Sequence, residues 1–124
     1  MKCLILLHST TGNTRLVARF AARRLIEAGH TCEIHDVARH PEPPPLGDVD
    51  LLGVASPTAY FGQSRVMERF LQRLPEATVD LPLAFLMGTC SGEPGAHFVQ
   101  QAEQLEARGY AVLGARAMVF PDSW

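Results

Sequence analysis

Long apolar runs are missing from this chain of 124 residues: the longest, Cys3 to Leu7 and Leu83 to Met87, are five residues each. A membrane-spanning helix needs about 20, so no membrane partner is expected. The N-terminus passes from Lys2 straight into an apolar run, with no small-residue cleavage site behind it. That is not the pattern of a signal peptide, and a cytoplasmic protein is expected. Cysteine is scarce and odd in number. Cys3, Cys32 and Cys90 lie too far apart for a C-x-x-C redox pair or a zinc knuckle, and read as free thiols. The histidines, His8, His30, His35, His40 and His97, are scattered, so no metal site is expected. Charge of either sign is not in surplus: 11 Lys+Arg against 13 Asp+Glu leave a net charge of -2. Without a basic footprint, nucleic acid is not an expected partner. What is present, 47% hydrophobic and 19% charged residues, is the composition of one ordinary globular domain.

The order of elements follows from periodicity. Lys2 to His8 is nearly continuous in apolar residues, as in a parallel strand buried on both faces. From Thr14 to Ala28, Leu16, Val17, Phe20, Ala21, Leu25 and Ala28 recur at helical spacing, and Gly29 stops the helix. Thr31 to Val37 reads as a second strand, and the prolines between His40 and Leu46 forbid both helix and interior strand there. Asp50 to Ser56 predicts a third strand. Ser64 opens a helix with Val66, Met67, Phe70, Leu71 and Leu74 on one face, and Pro75 ends it. Leu81 to Met87 predicts a fourth strand, Pro94 to Arg108 a helix carrying Phe98, Val99, Ala102 and Leu105, and Tyr110 to Phe120 a fifth strand. Alternating strands and helices give an α/β sandwich with a parallel sheet and right-handed crossovers. Ala28-Gly29-His30 and Arg108-Gly109-Tyr110 use one kind of helix-to-strand turn twice.

In such sheets, ligands bind outside the carboxyl ends of the strands. After the first strand comes Ser9-Thr10-Thr11-Gly12-Asn13-Thr14, hydroxyls, an amide and a glycine directly before a helix. Backbone N–H groups, hydroxyl donors and the helix dipole there suit a phosphate. A polar turn capped by Asn13 or Thr14 is the plainer alternative, but capping needs one such residue rather than five. After the third strand, Ser56-Pro57-Thr58-Ala59-Tyr60-Phe61-Gly62 sets an adjacent aromatic pair on a loop, a stacking face for a planar ring. After the fourth, Gly88-Thr89-Cys90-Ser91-Gly92 is a glycine-bounded turn whose N–H groups suit the ring's polar edge. G-x-x-x-x-G-K-[ST] and G-x-G-x-x-G are both missing from the first loop, which excludes a P-loop and a dinucleotide fingerprint. The sixth residue after each cysteine is Ser9, Ala38 or Ala96, so no C-x5-R phosphatase motif exists, and Ser56 stands where a receiver domain needs Asp.

On these residues the chain resembles the flavodoxin superfamily, whose phosphate loop reads S/T-x-T-G-x-T after the first strand. The resemblance spans essentially the whole chain. It implies a sheet of order 2-1-3-4-5 and bound FMN. Ser9, Thr10, Thr11, Gly12, Asn13 and Thr14 would hold the phosphate; Ser56, Pro57, Thr58, Ala59, Tyr60, Phe61, Gly88, Thr89, Cys90 and Gly92 would flank the flavin ring. The S-P-T-x-Y-F-G run also looks like a loop of flavodoxin-like quinone reductases, with Ala59 an extra residue, so either Tyr60 or Phe61 is the stacking aromatic. The Phe120 to Trp124 ending is similar to the point where some flavodoxin domains continue into a ferredoxin.

The expected function is therefore FMN-dependent electron transfer, with no side chain needed as acid or base. The alternatives are an NAD(P)H-dependent FMN quinone reductase and a flavin-free protein-binding module. A charge of -2 lacks the acidic field usual in diffusible flavodoxins, so a redox partner protein or fused redox domain is the expected partner. The family's fifth helix has no counterpart before Trp124. The first helix would then stand alone on one sheet face, which calls for a homodimer through that face or a following segment, with Trp124 near the seam. Arg15, Arg19, Arg23 and Glu27 form a row on the first helix that reads as a solvated face rather than part of the site.

Overall fold

A computed structural model describes residues 1–9, 12–59, 62–90 and 97–119. Nine elements follow one another: β1 (Lys2–Leu7), α1 (Asn13–Glu27), β2 (Thr31–Asp36), β3 (Leu51–Ala59), β4 (Gly62–Gln63), α2 (Arg65–Gln72), β5 (Leu83–Cys90), α3 (His97–Glu106) and β6 (Ala111–Val119). The strands β2-β1-β3-β5-β6 lie side by side and every neighbouring pair is parallel, so the five-strand order is the expected 2-1-3-4-5. β4 is an addition, a short antiparallel partner for the end of β3. β1 is an inner strand, between β2 and β3, and its Cys3 to Leu7 are all buried, which is why that run reads apolar without alternation.

Alternate residues of each strand feed two cores. Leu4, Leu6, Leu52, Val54 and Leu86 pack under α2 and α3 with Met67, Phe70, Leu71 and Leu105. Ile5, Leu7, Ala55 and Met87 face α1. α1 meets the sheet through Thr14, Ala18 and Ala22, one small residue per turn. Small side chains let the helix come close, and the bulky neighbours are pushed to its flanks. Leu16 and Phe20, expected inside, are therefore 60% and 61% exposed. A similar shift affects α3, where Val99 is exposed and the polar Gln101 is buried beside Phe98, Ala102 and Leu105. Counting i, i+3, i+4 and i+7 from Phe98 gives that set. Val66 of α2 is exposed as well.

The two glycine turns are alike. Gly29 and Gly109 take φ of +98° and +93°, and in each turn the following residue donates back five positions, His30 N–H to Leu25 O and Tyr110 N–H to Leu105 O. This is the left-handed helix ending that glycine favours. Between β2 and β3 there is no helix. Residues 37–50 form a strap over the α2/α3 side, fixed by buried Val37, Leu46 and Val49.

Strand boundaries differ from the sequence pattern at both ends of β5. Leu81 is 69% exposed and the strand begins after Pro82. Its far end runs through Gly88, Thr89 and Cys90, expected as a turn, because β6 continues beside it as far as Val119. β3 likewise absorbs Ser56, Pro57, Thr58 and Ala59. Pro57 is tolerated because β1 ends opposite Ala55, so the strand beyond has its parallel neighbour on one side only.

Candidate functional site

The carboxyl ends of β1, β3 and β5 meet at one edge of the sheet. Ser9 follows β1, and its Oγ accepts the Gly12 N–H at 3.1 Å, folding the loop into the helix start. Gly12 is the N-cap residue of α1 with φ +93° and makes no side-chain cap bond. Its carbonyl accepts Leu16 N–H at 3.0 Å, so the helix begins at Asn13. The N–H groups of Asn13, Thr14 and Arg15 have no acceptor inside the helix. The cap residue is thus Gly12 rather than Asn13 or Thr14. Among the described residues other than its chain neighbours, nothing lies within 4 Å of the point where a Gly12 side chain would begin.

Thr14 points into the molecule instead. Its Oγ1 lies 2.7 Å from Oγ1 of Thr89, and both side chains are buried. Thr89 in turn is the register partner of Pro57, and Gly88 that of Ser56. The start of α1 and the ends of β3 and β5 are thus held as one unit. Ser56 is fully buried and its Oγ accepts the Gln101 Nε2 proton at 2.8 Å. Among the described residues, Gln101 Oε1 is buried without a hydrogen-bond partner, an uncompensated acceptor beneath the end of β3.

Sequence reasoning passed over His8, the first residue beyond β1. Its N–H continues the ladder to Ala55 O at 3.0 Å, and its Nδ1 lies 2.9 Å from Ser64 Oγ, which accepts Met67 N–H as the cap of α2. Burial lowers the imidazole's pKa, opposed by the negative charge of Asp36, and His8 is uncharged at neutral pH. Asp36 is bound to Arg15 at 2.8 Å and accepts the N–H groups of Ala38 and Arg39. Burial pushes its carboxyl up, but Arg15 and those N–H groups outweigh burial and hold it below the usual range. The cation nearest the loop is therefore matched by an anion. A phosphate at this edge would be met by backbone N–H groups and hydroxyls.

Ser9, Gly12, Asn13, Thr14, Ser56, Pro57, Gly88 and Thr89 are brought to this edge. Thr58, Ala59 and Cys90 belong to its strands. Thr10, Thr11, Tyr60, Phe61 and Gly92 lie outside the described residues, as does Trp124. Only the order of the chain could have hinted at His8, because its partner Ser64 is 56 positions away.

The chain matches no protein-family model and no curated protein. It is similar to solved structures. Flavodoxin 1 from Bacillus cereus shares 20% identity at a TM-score of 0.75, covering 98% of this chain and 88% of that one. An NAD(P)H:quinone oxidoreductase from Methanothermobacter marburgensis shares 16% at a TM-score of 0.69, covering 97% and 82%. The Flv1 flavodiiron core from Synechocystis sp. PCC6803 shares 14% at a TM-score of 0.70, covering 98% of this chain and 32% of that one. The fold is flavodoxin-like.

Proposed function

We propose that this chain binds FMN and serves as an electron-transfer domain. The observation that carries the reading is the start of α1: a helix opened by a left-handed glycine with no side-chain cap, flanked by the Ser9 and Thr14 hydroxyls. Such an end suits a terminal phosphate, whose charge the free N–H groups and the helix dipole favour. In this reading Ser9, Thr10, Thr11, Gly12, Asn13 and Thr14 hold the phosphate. Ser56 to Phe61, together with Gly88, Thr89, Cys90 and Gly92, flank the ring. The bound flavin supplies the redox chemistry. The chain's own part is to bind it and fix its position: Thr14 and Thr89 join the phosphate end to the ring end, and Ser56 with Gln101 braces the strand below the ring. His8, being neutral, adds no charge at this edge.

The part-chain match to a flavodiiron core supports a domain acting with a redox partner or fused redox domain. A second reading, an NAD(P)H-dependent quinone reductase, is favoured by the match to such an oxidoreductase.

Titration with FMN and riboflavin tests the proposal. FMN should bind about 100-fold more tightly, the worth of about two hydrogen bonds to a charged group. Equal affinities would overturn the phosphate assignment, and a protein that takes up neither would be a flavin-free binding module. NADPH consumption by the flavin-loaded protein with a quinone acceptor would favour the second reading.

A further inference from the structure

Charge is sorted by side in this chain, although its totals nearly balance. Seven of the ten arginines lie on the two helices and the strap that flank β2, against four acids there, Glu27, Glu33, Asp36 and Glu42; the other nine acids lie elsewhere. β2 is an edge strand of the sheet. On one side of it Arg15 of α1 meets Asp36 at 2.8 Å, and Arg19 and Arg23 follow on the same flank of that helix. Arg39 of the strap reaches the same carboxylate at 3.8 Å. On the other side stand Arg65 and Arg69 of α2, with Arg73 at its end.

The α2 row runs against local preference. Arg65 is the first residue of the helix, where the dipole disfavours a cation, and the three arginines are like charges at i, i+4 spacing, which destabilises a helix. All three are exposed, and neither Arg65 nor Arg69 has an ion-pair partner among the described residues. Arg73 has Glu42 at 3.9 Å, a contact between two exposed groups that contributes little. Glu68 is on the other flank of α2, where it lines a groove against α3 with Gln72 and Gln104. A row that costs the helix stability and gains little inside the chain marks a place where binding sets the residue choice.

Beside the row lies a cleft of about 260 Å³ between α2 and the strap. Val37, Ala38 and Pro41 line it from the strap, Val66 and Phe70 from α2, and its charged lining is Arg69 and Arg73. An occupant must therefore be apolar in one part and anionic beside it. From Arg65 to Arg73 the row spans about 12 Å at 1.5 Å per residue, more than one anionic group covers and roughly the reach of four extended residues. A second copy docking here about a two-fold axis would set the arginine row against itself. A segment following β6 would start from the opposite edge strand, four strand spacings or about 19 Å away.

We propose that this side docks an acidic, extended segment of a partner protein, with one large apolar side chain in the cleft and carboxylates against Arg65, Arg69 and Arg73. The proposal stands on the β2 edge and does not depend on FMN binding at the sheet's carboxyl edge.

The probe is a peptide of about 12 residues with a central Leu, Glu and Asp on both sides of it, and an uncharged fluorophore. Anisotropy on the full chain compares it with a twin bearing Lys for each acid and a twin bearing Ser for Leu. The acidic peptide should bind, and more weakly as salt is raised. The Lys twin should bind about tenfold more weakly or worse, the loss of one charge-assisted contact, and the Ser twin several-fold more weakly. Arg69→Glu with Arg73→Glu should weaken the acidic peptide about tenfold or more, while Arg24→Glu, on the far flank of α1, should leave it unchanged. Urea midpoints separate a lost cleft from a lost fold, and Arg69→Gln with Arg73→Gln gives the same comparison if the Glu pair unfolds the chain. Equal binding of the acidic and Lys peptides, binding of neither, or equal affinity of the Ser twin overturns the proposal. So does an equal loss in Arg24→Glu, or self-association in sedimentation equilibrium that Arg69→Glu with Arg73→Glu abolishes, because a second copy would then own the face.

Discussion

The hydroxyls of Thr14 and Thr89 lie 2.7 Å apart inside the molecule, 75 positions apart in sequence. They tie the first turn of α1 to the last residues of β5, so the parts of the candidate site on those two elements cannot shift independently.

Replacing either threonine by valine leaves the other hydroxyl buried and unpaired. Each single variant should lose about 1–3 kcal/mol of stability in urea unfolding. The double variant should lose less than the sum of the two, and strict additivity would show that the hydroxyls do not interact in solution. FMN affinity should fall in both single variants.

Gly53 sits under the ring of Phe85, its register partner on β5. A methyl group at that position would come within 2.5 Å of the ring's Cζ. Gly53→Ala should destabilise the chain by about 1–3 kcal/mol through overpacking. Phe85→Leu in the same chain should recover part of the loss, measured by the unfolding midpoint at constant m-value.

His8 gives the fold a dependence on pH. Burial lowers its pKa from the ordinary 6.5, so the unfolded chain binds the proton more readily than the folded one. The stability this contributes is complete above about pH 6.5 and is lost as pH falls from there toward the folded value. His8→Gln should flatten the stability curve across that window. An unchanged slope in urea midpoints between pH 7 and 5 would assign it to other groups.

The Cys32 thiol is pushed up to about 11, by burial first and then by the neighbouring Cys3 and Glu33 charges. Cys3, opposite it on β1, is raised as well, again chiefly by burial. Since the thiolate is the reactive form, iodoacetamide at pH 8 should label both slowly in the folded chain and rapidly after unfolding. Peptide mapping distinguishes the sites, and equal rates in both states would contradict the burial.

Much of the fold is legible because its cause is local. The prolines from Pro41 to Pro45 announce a segment that is neither helix nor strand, and Gly29 and Gly109 mark helix ends. The order of parallel strands came through the resemblance on Ser9 to Thr14. What depends on tertiary company was not legible. Gly88 reads as a turn alone and is a strand residue only because β6 runs beside it. Leu16 and Phe20 have the periodicity of a buried face, yet Ala18 and Ala22 win the contact because they let the helix lie closer. Gln101 looks like surface and is core, since its amide serves Ser56 from another element. His8 gives no sign of its partner Ser64 before the chain is folded.

The strap between β2 and β3 performs a crossover without a helix, like a belt held at three studs, Val37, Leu46 and Val49. Between the first two studs the chain is largely in water, with residues 38–42 all exposed. No ladder or helical register there would be interrupted by added residues. Lengthening a loop costs little, roughly 0.6 kcal/mol for each doubling. A short epitope or fluorophore-binding tag inserted after Arg39 or His40 would therefore ride outside the sheet, giving a handle for immobilisation or single-molecule tethering that leaves the strand order untouched.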